Sequence, residues 1–110
     1  MTSDALECEV RYANGRVVVR LGGELDYVAT DKLLNTLEAA LDFSPRELIL
    51  DVRGVTFIGS AGLSALAGGL TYFVEAGGVV TLRPSPRFMR VLSLVGMDEV
   101  WQVDWSDGDP

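Results

Sequence analysis

Histidine is absent from this chain of 110 residues, and that absence alone removes several kinds of chemistry. Ser-His triads, imidazole general bases and the common zinc sites all require it. Cysteine is nearly absent as well: Cys8 stands alone and cannot close an internal disulfide. Positive charge is scarce, with 9 Lys and Arg against 16 Asp and Glu, for a formal net charge of -7. Lys32 is the only lysine, and the arginines are scattered. Binding to nucleic acid needs clustered cations to neutralise phosphates, so no direct nucleic-acid partner is expected. Anionic membrane surfaces are disfavoured for the same reason. No apolar run approaches the ~20 residues of a membrane span, so no membrane insertion is expected. Met1-Thr2-Ser3-Asp4 does not open a basic-then-apolar leader. A cytoplasmic, non-enzymatic protein with no cofactor and no metal is the expectation.

What is present suits one folded unit. Hydrophobic residues make up 48% of the chain, enough for a core without disulfides or metals. A single domain over 1–110 is expected, with its core at about 7–103 and a flexible tail over 104–110. Glu7 to Tyr12 and Arg16 to Leu21 flank Asn14-Gly15, a strong hairpin turn, and predict two antiparallel strands. Gly22 to Asp26 reads as a polar loop. Leu33, Leu34, Leu37, Ala40 and Leu41 recur at helical spacing between Thr30 and Leu41, ahead of Ser44-Pro45. Glu47 to Val52 carries a continuous apolar run and predicts a central strand covered on both faces.

A second helix opens at Gly59 or Ser60 and reaches Glu75, with Leu63, Leu66, Leu70, Phe73 and Val74 on its apolar stripe. Ala76-Gly77-Gly78 closes it. Val79 to Leu82 predicts a strand, and Arg87 to Val95 a third helix with Phe88, Val91, Leu92 and Val95 inward. Val100 to Val103 predicts the last strand. The order is ββαβαβαβ, an α/β domain with a mixed, mostly parallel sheet behind an antiparallel hairpin. Arg83, Arg87 and Arg90 read as a solvated face near the third helix, and Cys8 as a small apolar strand residue.

The functional question concentrates on Ser60. A strand and a short connector, Leu50 to Ile58, deliver this hydroxyl to a helix start, where unpaired N–H groups and the macrodipole favour an anion. A serine there is either a plain N-cap or a hydroxyl whose phosphorylation the site accommodates. As a nucleophile it has no evident base. Glu24 and Asp26 are either solvated loop carboxylates or partner contacts.

Leu21-Gly22-Gly23-Glu24-Leu25-Asp26 resembles the L-x-G-E-L-D loop of STAS domains of the bacterial anti-sigma factor antagonist type. Leu50-Asp51-Val52 through Phe57-Ile58-Gly59-Ser60-Ala61-Gly62-Leu63 is similar to that family's phosphoserine signature. The resemblance implies a protein that binds an anti-sigma factor serine kinase and frees a sigma factor. Phosphorylation at Ser60 would break that complex, and a PP2C-type phosphatase would restore it. It also implies partner contacts at Glu24, Asp26, Gly59, Ser60, Ala61 and Gly62. Two positions depart from the pattern: Gly59 stands where the family carries Asp, and Ala29 where it carries Thr. The Gly59 departure keeps a second reading in view, a STAS accessory or sensor module for a membrane lipid or anion transporter or a nucleotide-like small molecule.

Overall fold

The computed structural model describes residues 5–108. Its elements follow the expected order: β1 (Glu7–Ala13), β2 (Arg16–Leu25), α1 (Thr30–Leu41), β3 (Glu47–Ile58), α2 (Ser60–Glu75), β4 (Val79–Arg83), α3 (Pro86–Leu94) and β5 (Gln102–Val103). The strands lie side by side in chain order, β1 antiparallel to β2 and every later pair parallel. Asn14 (φ 59°) and Gly15 (φ 76°) both take positive φ, as a two-residue turn of this hand requires, and they set Ala13 opposite Arg16.

Period-two alternation decides which side of the sheet the helices cover. Val17, Val19 and Leu21 of β2, Leu48, Leu50 and Val52 of β3, and Val80 and Leu82 of β4 join one buried cluster. Leu33 and Leu37 of α1, Leu63, Leu66 and Leu70 of α2, and Phe88 and Leu92 of α3 complete it. The opposite face is charged. Arg16 pairs with Glu47 at 2.9 Å, Thr81 donates to Glu47 at 2.8 Å, and Arg20 and Arg53 both pair with Asp51. These side chains lie beside Ile49, which is buried although it stands outside the main cluster. β3 is therefore covered by helices on one side only, not on both as expected; on the other side Ile49 and Asp51 are buried among the paired charges of the sheet itself.

Several expectations need correction. Gly22 to Leu25 is strand, not loop, and Arg53 to Ile58 continues β3. The two extensions pair with each other: Gly22 with Gly54, Gly23 with Val55, Glu24 with Phe57 and Leu25 with Ile58. Two register shifts interrupt this ladder, and Gly23 takes φ 87° at one of them. Glycines hide a strand from single-chain propensity, whereas pairing across the sheet restores it.

α3 starts one residue early, at Pro86, and Val95 caps it while 54% exposed. Leu34 and Val74, expected inward, are exposed. β5 keeps only Gln102–Val103. Arg83 is no solvated residue: it is 2% exposed, and its guanidinium donates to the carbonyl and hydroxyl of Ser106. Arg53 reaches the Asp107 carbonyl at 2.8 Å, and the Asp104 N–H bonds Leu82. The segment expected as a tail thus makes these contacts at 104–107; residues 109 and 110 lie outside the described residues. Cys8 sits half-buried in β1 against the core.

Candidate functional site

Ser60 stands at the carboxyl end of the parallel strands, where α/β folds commonly place their sites. Gly59 is the N-cap of α2, in ordinary extended backbone (φ -100°, ψ 165°), and Ser60 is the first helical residue. The plain N-cap reading of Ser60 is therefore wrong. α2 has no side-chain cap hydrogen bond and no acidic residue in its first turn, and Ser60 is exposed. Among the described residues its hydroxyl has no hydrogen-bond partner. The positive end of α2 thus has no fixed anion from its own first turn.

Two backbone contacts lock this helix start onto the end of β2. The Gly59 N–H donates to the Leu25 carbonyl at 3.0 Å. One turn on, Gly62 is buried so tightly that a Cβ there would stand 2.3 Å from the Leu25 carbonyl oxygen. A backbone atom cannot swing aside, so only glycine permits this approach. The Glu24–Asp26 segment is thereby brought beside the start of α2.

The side chains in that segment differ in what they are free to do. Glu24 is half-buried opposite Phe57. The Asp26 carboxylate accepts the Ala29 N–H at 3.0 Å, holding the turn that leads into α1. Ala61 is half-buried and Gly62 fully buried, which leaves Ser60 as the accessible group of the α2 start. Arg87, at the first turn of α3, donates to the Thr56 carbonyl at 3.0 Å and ties a third connection to the same end of the sheet.

Sequence reasoning missed the exposed apolar side chains at this end of the sheet. Tyr27 and Val28, in the turn after β2, and Phe57, near the end of β3, are all exposed. The available signal was two bulky apolar residues, Tyr27 and Val28, directly after the segment Gly22 to Asp26 read as polar loop.

A second cluster of charges lies on the helix-free face. Asp51, 2% exposed, accepts from the Arg53 side chain at 2.9 and 2.8 Å and from the Arg53 N–H at 3.2 Å. Burial pushes its carboxyl pKa up. The hydrogen bonds from Arg53 and the charges of Arg53 and Arg20 outweigh that and hold it below the usual range. The cluster borders an open cleft of about 610 Å³ whose floor includes the paired glycines Gly22 and Gly54. Its charges are matched to one another, which makes it a brace for β2 and β3.

Comparison with known proteins matches residues 7–105 to the STAS domain family. The anti-sigma-F factor antagonist RsfB of Mycobacterium tuberculosis is 29% identical over 107 residues, spanning 91% of this chain and 82% of its own. A crystal structure of an anti-sigma factor antagonist from Mycobacterium paratuberculosis superposes with a TM-score of 0.79 at 30% identity, covering 94% of this chain and 88% of that one. The anti-sigma factor antagonist SpoIIAA in its unphosphorylated form shares the fold at 22% identity, with a TM-score of 0.73 over 89% and 88% of the two chains.

Proposed function

The chain belongs to the STAS domain family, and from that premise we propose that it is an anti-sigma factor antagonist switched by phosphorylation of Ser60. In its unmodified form it binds an anti-sigma factor that is also a serine kinase, and so releases a sigma factor. The exposed, unspent hydroxyl of Ser60 at an uncapped helix start is the observation that carries this reading.

The chemistry follows from the geometry. The kinase transfers the γ-phosphoryl group of ATP to Ser60 Oγ: an O–P bond forms, the β,γ-bridging bond breaks, and the hydroxyl proton passes to a base of the kinase. The product carries about −1.5 to −2 charges. Within this chain the new anion is tolerated, because the first-turn N–H groups and the helix dipole point toward it. Against a packed partner the same charge must be desolvated or repelled, and the complex separates. Hydrolysis of the phosphoester by a PP2C-type phosphatase restores the binding form.

The deciding experiment incubates the full chain with a serine-kinase anti-sigma factor, magnesium and ATP, followed by peptide mapping and a binding assay. Phosphate on Ser60, lost in Ser60→Ala, together with release of the kinase on modification, supports the reading. A chain that neither binds such a kinase nor accepts phosphate at Ser60 defeats it.

A further inference from the structure

The sheet ends in two edges of different character. β5 offers only Gln102–Val103, the kind of short edge that discourages further pairing. β1 is seven residues long and pairs with β2 in unbroken register from Glu7 to Ala13. It carries no proline, glycine, lysine or bulge, the usual devices that stop an edge from accepting another strand. Among the described residues no strand pairs with its outer side.

The hairpin decides which backbone groups that outer side presents. Residues flanking a two-residue turn exchange both hydrogen bonds, so Ala13, Arg11, Glu9 and Glu7 direct theirs to β2. The N–H and C=O groups of Cys8, Val10 and Tyr12 therefore point outward. Side chains alternate with the same period. Cys8 and Val10 pack against the core, and the Tyr12 ring stacks on Phe43 with 4.8 Å between centroids. Glu9 and Arg11 lie on the helix-free face, paired at 3.4 Å and both exposed.

We propose that β1 pairs with β1 of a second copy of this chain, antiparallel about Val10, to form one continuous sheet across a twofold axis. The strand is self-complementary in that register. Val10 meets its own mate and exchanges both hydrogen bonds with it, and Cys8 does the same with Tyr12 of the other copy. Glu9 of each copy faces Arg11 of the other, in the non-hydrogen-bonded position where side chains approach most closely. A shift of two residues either way sets Glu9 against Glu9 or Arg11 against Arg11. Charge thus selects both the partner and the register. The contact is isologous, as a closed dimer requires. The net charge of -7 on each copy opposes association, and a contact of one strand is small, so the dimer is weak and concentration-dependent. Ser60 takes no part in this contact, so self-pairing stands or falls independently of the antagonist reading.

Sedimentation equilibrium of the full chain, from micromolar to millimolar concentration, tests the pairing. Wild type shows a reversible monomer–dimer equilibrium. Val10→Pro removes an outward N–H that β2 does not use, and raises the dimer Kd at least about tenfold. Glu9→Arg and Arg11→Glu each set like charges face to face twice, and each alone weakens the dimer about tenfold. Mixed in equal amounts, those two variants pair with each other as tightly as wild type does. The double variant Glu9→Arg/Arg11→Glu likewise recovers the dimer. A wild-type chain that stays monomeric throughout the range overturns the proposal. So does a dimer that the charge variants leave unchanged, or one that Val10→Pro preserves with an unaltered melting temperature. Weakening by the single charge variants without recovery on mixing or in the double variant also overturns it, because Glu9 and Arg11 then do not face each other. Should Val10→Pro fail to fold, the charge variants decide alone.

Discussion

Two helices of this protein begin at the same end of the sheet, each with a serine at its start, and the two serines are used differently. At α3, Ser85 is the N-cap: its hydroxyl accepts the Phe88 N–H at 3.1 Å, and Pro86 follows in the first turn. At α2 the serine has moved one position inward. Gly59 takes the cap, offers no side chain, and leaves the Ser60 hydroxyl outside the helix's own hydrogen bonding. The α3 start is completed by its own residues. The α2 start is held by backbone contact with Leu25 and retains a nucleophilic hydroxyl over unneutralised N–H groups. A one-residue shift thus separates a serine that caps its helix from one whose exposed hydroxyl the helix does not use.

The comparison is tested hardest at Gly62. Gly62→Val drives a side chain into the Leu25 carbonyl and costs about 3 kcal/mol or more in urea unfolding. The control lies six residues along the same helix: Gly68 has nothing within 4 Å, so Gly68→Ala stabilises by about 0.5–1 kcal/mol. Equal effects at the two glycines would mean that the α2 start is not pinned to β2.

Next in size is Ser60→Asp. It places a charge where the phosphate would sit and weakens kinase binding about 100-fold, while stability changes by no more than about 1 kcal/mol. Unchanged affinity in a titration would separate Ser60 from the switch.

The two serines then part company on truncation. Ser85→Ala removes a cap and destabilises by about 1 kcal/mol without affecting kinase affinity. Ser60→Ala stays within about 0.5 kcal/mol of wild type and abolishes phosphate incorporation. Thermal or chemical unfolding beside a phosphorylation assay reads both. The smallest effect comes from making α2 resemble α3: Gly59→Ser supplies the missing cap and adds a few tenths of a kcal/mol, roughly the usual Gly-to-Ser difference at this position.

Much of the architecture was legible in the residues. Asn14-Gly15 marked the hairpin, the Leu33–Leu37–Ala40 spacing marked α1, and the Leu48–Leu50 run marked the central strand. The paired far ends of β2 and β3 were not legible. Gly22, Gly23 and Gly54 lower strand propensity, and only their pairing across the sheet compensates. Arg83 was misread because an arginine shows its charge in sequence and not its partners. Ser106 and Asp104, more than twenty residues on, let it be buried.

At the site, the sequence by itself identified Ser60, the Glu24–Asp26 segment and the departure at Gly59, because motifs are local strings of residue types. By composition it also excluded imidazole chemistry, the common zinc sites and an internal disulfide. Tertiary structure alone decided that Gly59 and not Ser60 caps the helix, that Gly62 is the contact with Leu25, and that Phe57 lies against Gly59. Those outcomes depend on where two strand ends meet in space. A chain can encode such a meeting only through the long-range pairing that the folded sheet makes.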